Sequence, residues 1–212
     1  GRKSFDFNTV KEFAKNMAWY KMNNFHLHLS DNLIFLEDYP TMQDAIDNAY
    51  AGFRLESDIE NLTSEDTFYT KDEFRSFIKD SRNMGVNIIP EFDMPAHALA
   101  ITRAFPNLMT KEAGGNHRYL IEELDIRKDG ALDAAKSVWA QYFEGDDPVF
   151  DKDTTVHIGT DEFHGNGGNE YFRSFSDSMI KYIQGTGRDV RMWGSLSNKN
   201  GKTPVASKDV QL

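Results

Sequence analysis

A chain of 212 residues suits one domain. It carries 24 Lys plus Arg against 34 Asp plus Glu, a net charge of −10 with neutral histidines. That balance argues against nucleic-acid binding, which needs a basic face. With no cysteine, disulfides, thiolate-ligated metals and cysteine nucleophiles are excluded, and no apolar run approaches the roughly 20 residues of a membrane span. No secretory pattern opens the chain, which begins on Gly1 rather than Met, so a processed or trimmed chain is expected.

Val10, Phe13, Ala14, Met17 and Ala18 recur at helical spacing, with Asn8 or Thr9 as the candidate N-cap. Residues 25–31 read as a strand ending in polar groups, and 32–67 as a long acidic excursion holding one short helix. Thr70-Lys71-Asp72-Glu73 is a capping box that opens a helix through Phe74, Phe77 and Ile78, closed by Gly85. A buried strand follows over 86–92, then a helix over 129–143 with Asp129 as candidate N-cap, a strand over 155–159 and a helix over 171–183. Residues 190–193 read as one more strand and 210–212 as the start of another. Strands alternating with helices imply an α/β fold with parallel pairing.

His28 and Asp31, Glu91 and Asp93, Asp161 and Glu162, and Trp193 all fall at the carboxyl ends of their strands. In barrels and open α/β sheets that edge carries the chemistry. The sharpest cluster is His157-Ile158-Gly159-Thr160-Asp161-Glu162-Phe163-His164-Gly165. Neighbouring acids that interact strongly divide their protonation, which acid-catalysed cleavage of a glycosidic bond requires. The competing reading has Asp161 and Glu162 capping the next segment or lying on a solvated loop.

In Pro90-Glu91-Phe92-Asp93-Met94-Pro95-Ala96-His97, strand alternation puts Glu91 and Asp93 on one face, and Pro95 turns His97 back toward the strand end. A helix-initiating turn with a partly exposed His97 is the alternative. His26 and His28 share a strand face in the spacing used by metal-dependent barrel hydrolases, so a metal site stands open beside that of satisfied core histidines. The glycine-rich run 165–169 lacks phosphate-loop spacing and reads as a mobile loop over the acid pair. Trp193 could stack on a sugar ring; Trp19 and Trp139 sit in helical patterns and are assigned to the core.

Taken in order, Gly1-Arg2, Lys21-Met22-Asn23-Asn24-Phe25-His26-Leu27-His28-Leu29-Ser30-Asp31, Pro90 to His97 and His157 to Gly165 resemble glycoside hydrolase family 20, the β-N-acetylhexosaminidases and lacto-N-biosidases. The resemblance implies a (β/α)₈ TIM barrel, and a retaining mechanism in which the substrate's own 2-acetamido oxygen attacks C1. It implies Glu162 as general acid/base, with a raised pKa in an apolar, acid-rich pocket, and Asp161 as the group orienting the acetamido N–H. Arg2, Asp31, His97 and Trp193 would bind substrate or shape its pocket, with His28 and Asp93 in support. No cofactor and no metal is implied. The partner would be a glycan containing β-linked N-acetylhexosamine, and the location outside a bacterium or on its surface.

Three departures stand out. Ala96 replaces the family's usual glycine. The family's Arg-Leu-Glu has two candidates, Arg54-Leu55-Glu56 and Phe35-Leu36-Glu37, and the acidic segment between them is similar to the lacto-N-biosidase branch. A complete barrel needs roughly 250 residues, so residues 1–212 read as a single partial barrel domain, roughly strands two to six. Its open strand edges predict self-association.

Overall fold

The computed structural model describes residues 3–112, 120–165 and 168–212. Helix α1 (Phe7–Trp19) leads into β1 (Asn24–His28), and α3 (Lys71–Asn83) into β4 (Asn87–Met94). Helix α5 (Ala131–Phe143) precedes β5 (Val156–Gly159), and α6 (Asn169–Gly185) precedes β6 (Val190–Arg191). The four strands form one parallel sheet in the order β1-β4-β5-β6, and Gln211 bridges in parallel to Arg191 at its far edge. This is part of a (β/α)₈ barrel, as expected.

The two faces of the sheet differ. Leu29, Ile88, Phe92, Met94, Val156, Ile158, Val190 and Met192 point into a core shared with the helices. That core includes Phe74, Phe77 and Ile78 of α3, Val138, Trp139 and Tyr142 of α5, and Phe175, Met179 and Ile180 of α6. The opposite face carries His26, His28, Glu91, Asp93 and His157. Register then makes a row of it: His28 pairs with Glu91, and Glu91 with His157. A strand alternates its side chains between faces, so this one row defines what lies inside the barrel.

Local chemistry sets the helix ends. Thr70 and Glu73 form the expected capping box on α3, and Gly85, at φ +83°, supplies the left-handed turn that ends the helical segment. Two caps differ from the sequence reading. Helix α1 is capped by Asp6, which accepts from the Thr9 backbone N–H at 3.0 Å, because Thr9 is already inside the helix. The N-cap of helix α5 is Gly130, in the left-handed region and without a side-chain cap bond, so Asp129 is not the N-cap.

Trp139 is fully buried, but Trp19 is 82% exposed and does not belong to the core. It lies nine residues after buried Val10, which at 3.6 residues per turn is about 180° round the helix. Phe13 is exposed as well, and of α1 only Val10 and Ala14 are fully buried.

The 32–67 excursion is more ordered than expected. Strand β2 (Ser30–Leu33) pairs antiparallel with β3 (Tyr50–Phe53), and α2 (Met42–Asn48) lies between them under a Thr41–Asp44 capping box. Arg54 follows β3 and is buried, its guanidinium donating to the Asp66 carboxylate at 2.5 Å and to the Thr67 carbonyl at 2.8 Å. Phe35 of the alternative motif is exposed. Among the described residues, no helix is long and apolar enough to cross a membrane.

Candidate active site

The carboxyl ends of β1, β4, β5 and β6 open on a cavity of about 370 Å³ lined by His26, His28, Asp31, Glu91, Asp93, His97, Asp161 and Trp193. Of the residues singled out from sequence, Gly1, Arg2 and, in the glycine-rich run, Asn166 and Gly167 lie outside the described residues. Glu162 is not among the lining residues: its side chain is 57% exposed and reaches the cavity through His97, 3.4 Å away.

Glu91 is the hub. Its carboxylate is completely buried, with His28 Nδ1 2.5 Å from Oε2 and the Trp193 indole N–H donating to Oε1 at 2.8 Å. His157 Nδ1 lies 3.3 Å from Oε1. His26 Nε2 lies 2.9 Å from Oε2, without the alignment a hydrogen bond needs. The rings of His26 and His157 stack with centroids 4.5 Å apart, and Trp193 tilts over His157 at 4.7 Å. Burial alone would raise the Glu91 pKa, but the surrounding histidines overcome it and hold the carboxylate well below its usual range.

Asp93, two residues along on the same face, goes the other way. Burial, reinforced by the Glu91 charge, pushes it up to about 7. The pair therefore divides its protonation, Glu91 anionic and Asp93 ready to hold a proton. Asp93 is also the anchor of the turn that carries Asp161 and Glu162, since its Oδ1 accepts from the Thr160 backbone N–H at 2.8 Å and the Asp161 N–H at 3.4 Å. Its own N–H donates to the Ser30 hydroxyl at 3.0 Å.

A second chain of contacts leads outward. His28 Nε2 lies 3.1 Å from Asp31 Oδ2, His97 Nδ1 lies 3.1 Å from Asp31 Oδ1, and His97 Nε2 lies 3.4 Å from Glu162 Oε2. His97 is buried, not partly exposed. For both histidines burial opposes the charge. The Asp31 carboxylate outweighs it, with Glu91 adding to the effect at His28, and each is pushed up to about 9. Asp31 is buried too, but these rings and the Asn32 backbone N–H hold it low.

These shifts carry a pH dependence of stability. His28 and His97 have ordinary values near 6.5 and hold protons to about 9 in the fold, so their contribution is complete below pH 6.5 and lost as pH rises toward 9. Asp93, raised from 3.8 to about 7, acts in the same direction over its own window. Asp31 and Glu91 are lowered, so their contribution is lost only in acid. The urea midpoint is thus expected to fall steadily between pH 6.5 and 9; a midpoint that rose across that window would contradict the assigned partners.

The backbone of the turn is unusual. Gly159, Thr160 and Glu162 have φ of +73°, +80° and +43°, and His97 has +56°. Non-glycine residues there are uncommon and gather at functional sites. Asp161, between them, faces the cavity and accepts from the Glu162 backbone N–H at 3.0 Å. The donor atoms of His26, Glu91 and His157, and of His28, Glu91 and Asp93, lie within 4.8 Å of one another, close enough for a cation. Glu91 already accepts the Trp193 N–H, so the set is equally a hydrogen-bonded hub.

Sequence reasoning paired Glu91 with Asp93 but gave Glu91 no role. Its importance comes from cross-strand register with His28 and His157, which no single-strand pattern contains.

The model of the family described as "Glycosyl hydrolase family 20, catalytic domain" matches residues 1–211. A beta-hexosaminidase of Akkermansia muciniphila is 31% identical over 123 residues, which cover 53% of this chain and 24% of that protein. A lacto-N-biosidase of Bifidobacterium bifidum is 27% identical over 159 residues, 63% of this chain and 14% of that one. The crystal structure of a beta-N-acetylhexosaminidase from Bacteroides fragilis matches with a TM-score of 0.70 at 23% identity, over 99% of this chain and 42% of that one. The chain thus spans less than half the length of each of these relatives. With a family match running through nearly every residue and the same fold beneath it, the chain belongs to the catalytic domain of glycosyl hydrolase family 20.

Proposed function

We propose that this chain carries the acid–base machinery of an enzyme that hydrolyses β-linked N-acetylhexosamine glycosides with retention of configuration. The observation that carries the reading is the chain Glu162–His97–Asp31, an accessible carboxylate backed by a buried imidazole and a buried carboxylate. Glu162 is exposed enough to meet a leaving-group oxygen, and Asp161 lines the cavity where the sugar's 2-acetamido group would sit.

In the first step the acetamido oxygen attacks C1, the C1–O bond to the leaving group breaks, and Glu162 gives that oxygen its proton. Asp161 accepts the acetamido N–H and balances the positive charge of the oxazolinium ring. His97 stands beside Glu162, able to carry positive charge while the acid is ionised. In the second step Glu162 takes a proton from water, whose oxygen attacks C1 and reopens the ring, leaving the β-configured sugar. Trp193 would form one wall of the acetamido pocket, its ring held by Glu91.

The test is turnover by the protein from its complete reading frame. Aryl β-N-acetylglucosaminide and aryl β-lacto-N-bioside are offered in parallel, with and without chelator. NMR of fresh product should show the β anomer released first and the rate unaffected by chelator. An α anomer at first release would overturn the substrate-assisted route. Loss of activity with chelator alone would favour a metal held among His26, His28, Glu91 and His157, the reading their spacing also permits. Preference for the disaccharide would place the enzyme with the lacto-N-biosidases.

A further inference from the structure

Glu162 adopts a left-handed backbone that residues with side chains seldom hold unaided. Its carboxylate is mostly solvent-facing, so the conformation must be fixed by what flanks it. On the near side the clamp is the pair of backbone N–H bonds to Asp93. The far side is fixed through Phe163 and His164 by Lys199, Phe172 and Glu123, which lie outside the motifs that mark the family.

The Lys199 ammonium donates to the Phe163 carbonyl at 2.6 Å, one residue beyond Glu162. It also lies over the rings of Phe163 and Phe172, 5.7 and 5.9 Å from their centroids. Those rings stack at 5.4 Å and are buried with Ala96 beside His97. The chain then wraps Phe163 so closely that a Cβ on Gly165 or Gly168 would fall 2.3 or 2.7 Å from its ring. The next N–H, of His164, donates to buried Glu123 at 2.8 Å. Lys199 itself follows the turn Gly194–Asn198, directly after Trp193. It therefore ties the loop bearing the acid to the segment bearing the aromatic wall of the cavity.

We propose that Lys199 is a positioning residue for Glu162: by fixing the Phe163 carbonyl from the Trp193 segment, it holds the acid in the left-handed turn that keeps its carboxylate beside His97. This rests on the reading of Glu162 as the general acid. In kcat/KM, which reports the steps up to departure of the leaving group, a misplaced acid is felt only where that group needs a proton. A residue that merely props up the fold would slow all substrates alike.

In the enzyme from the complete reading frame, Lys199→Met keeps the aliphatic stem over the rings and removes the donor. On an alkyl β-N-acetylglucosaminide kcat is expected to fall about 100-fold, the scale of a small misplacement of a catalytic group, with KM nearly unchanged. On the dinitrophenyl glycoside the loss in kcat/KM should nearly vanish, and Lys199→Arg should restore the alkyl rate. Wild-type turnover of the alkyl substrate by Lys199→Met, an equal loss on both substrates, or a change in KM alone would overturn the proposal. If Lys199→Met fails to fold, Lys199→Gln, which can still donate, serves instead: a loss confined to the alkyl glycoside and smaller than about 100-fold supports the proposal, and an unselective loss overturns it. Glu162→Gln in the same assay separates the two readings. If it too retains alkyl turnover, the general-acid assignment is what has failed. If it loses that turnover while Lys199→Met does not, Lys199 alone has been misread.

Discussion

Glu162→Gln is expected to lower kcat on alkyl β-N-acetylhexosaminides by about 10²- to 10⁴-fold, the usual worth of a positioned general acid. The amide has nearly the shape of the acid, so the turn and its distance from His97, 3.4 Å in the native protein, should change little. What disappears is the proton. An alkoxide cannot leave without one, whereas dinitrophenolate can, so the loss should shrink steeply as the leaving group becomes more acidic. The deglycosylation step, where Glu162 draws a proton from water, would then become limiting on activated substrates, visible as an initial burst. Equal losses across leaving groups would show that Glu162 acts by some other means. Comparable rates for Glu162→Gln and wild type on alkyl substrates would move the acid elsewhere, with Asp161 next in line because it faces the same cavity.

How much of this was legible beforehand follows from where each signal resides. The capping box at Thr70 and Glu73, the apolar stripe of α3 and the alternation of strand and helix are local, and each formed where the sequence placed it. The gathering of acids and histidines at strand ends was legible for the same reason, because a parallel fold delivers every strand's carboxyl end to one edge. Register is not local. Nothing in residues 24–28 says that His28 will sit opposite Glu91, or that Glu91 will sit opposite His157, yet that row creates the buried hub. The β2–β3 pair was missed because Ser30, Asp31 and Asn32 are polar and their partners come some twenty residues later. Lys199 carried no signal at all: a lone lysine past a short strand gains meaning only when the Phe163 carbonyl arrives beneath it.

The electrostatics show why the interior tolerates so many ionisable groups. A buried carboxylate left alone is costly, and removing one partner from such a pair is strongly destabilising. Glu91 is compensated by His28 and by the Trp193 N–H, and Asp31 by His28 and His97. Asp93 avoids the problem by favouring its proton. These buried carboxylates are thus compensated within the protein itself, and Glu162 alone among the carboxylates of the contact chain is left to solvent.

The largest effect on stability is expected at Gly159, where Gly159→Ala should cost more than about 4 kcal/mol, a range reached only by severe core damage. Two terms contribute. An L residue at φ +73° costs about 1–2 kcal/mol against glycine. The second is steric and larger: a Cβ would lie 1.9 Å from Asp93 Oδ1 and 2.4 Å from Asp93 Cα. The Asp93 backbone belongs to β4, whose Met94 is the register partner of Gly159, so it cannot withdraw without breaking the pairing of β4 with β5. The Asp93 carboxylate cannot withdraw either without releasing the Thr160 N–H and the turn that carries Asp161 and Glu162. Gly187 separates the two terms. Its φ is +83°, but a Cβ there would meet only Lys152 Cδ at 3.9 Å, so Gly187→Ala should lose the conformational part alone, about 1–2 kcal/mol. Thermal melting of both variants in the complete enzyme gives the comparison. Similar losses in the two would mean that β5 does not approach Asp93 so closely, and the anchoring of the Asp161–Glu162 turn on that carboxylate would have to be abandoned.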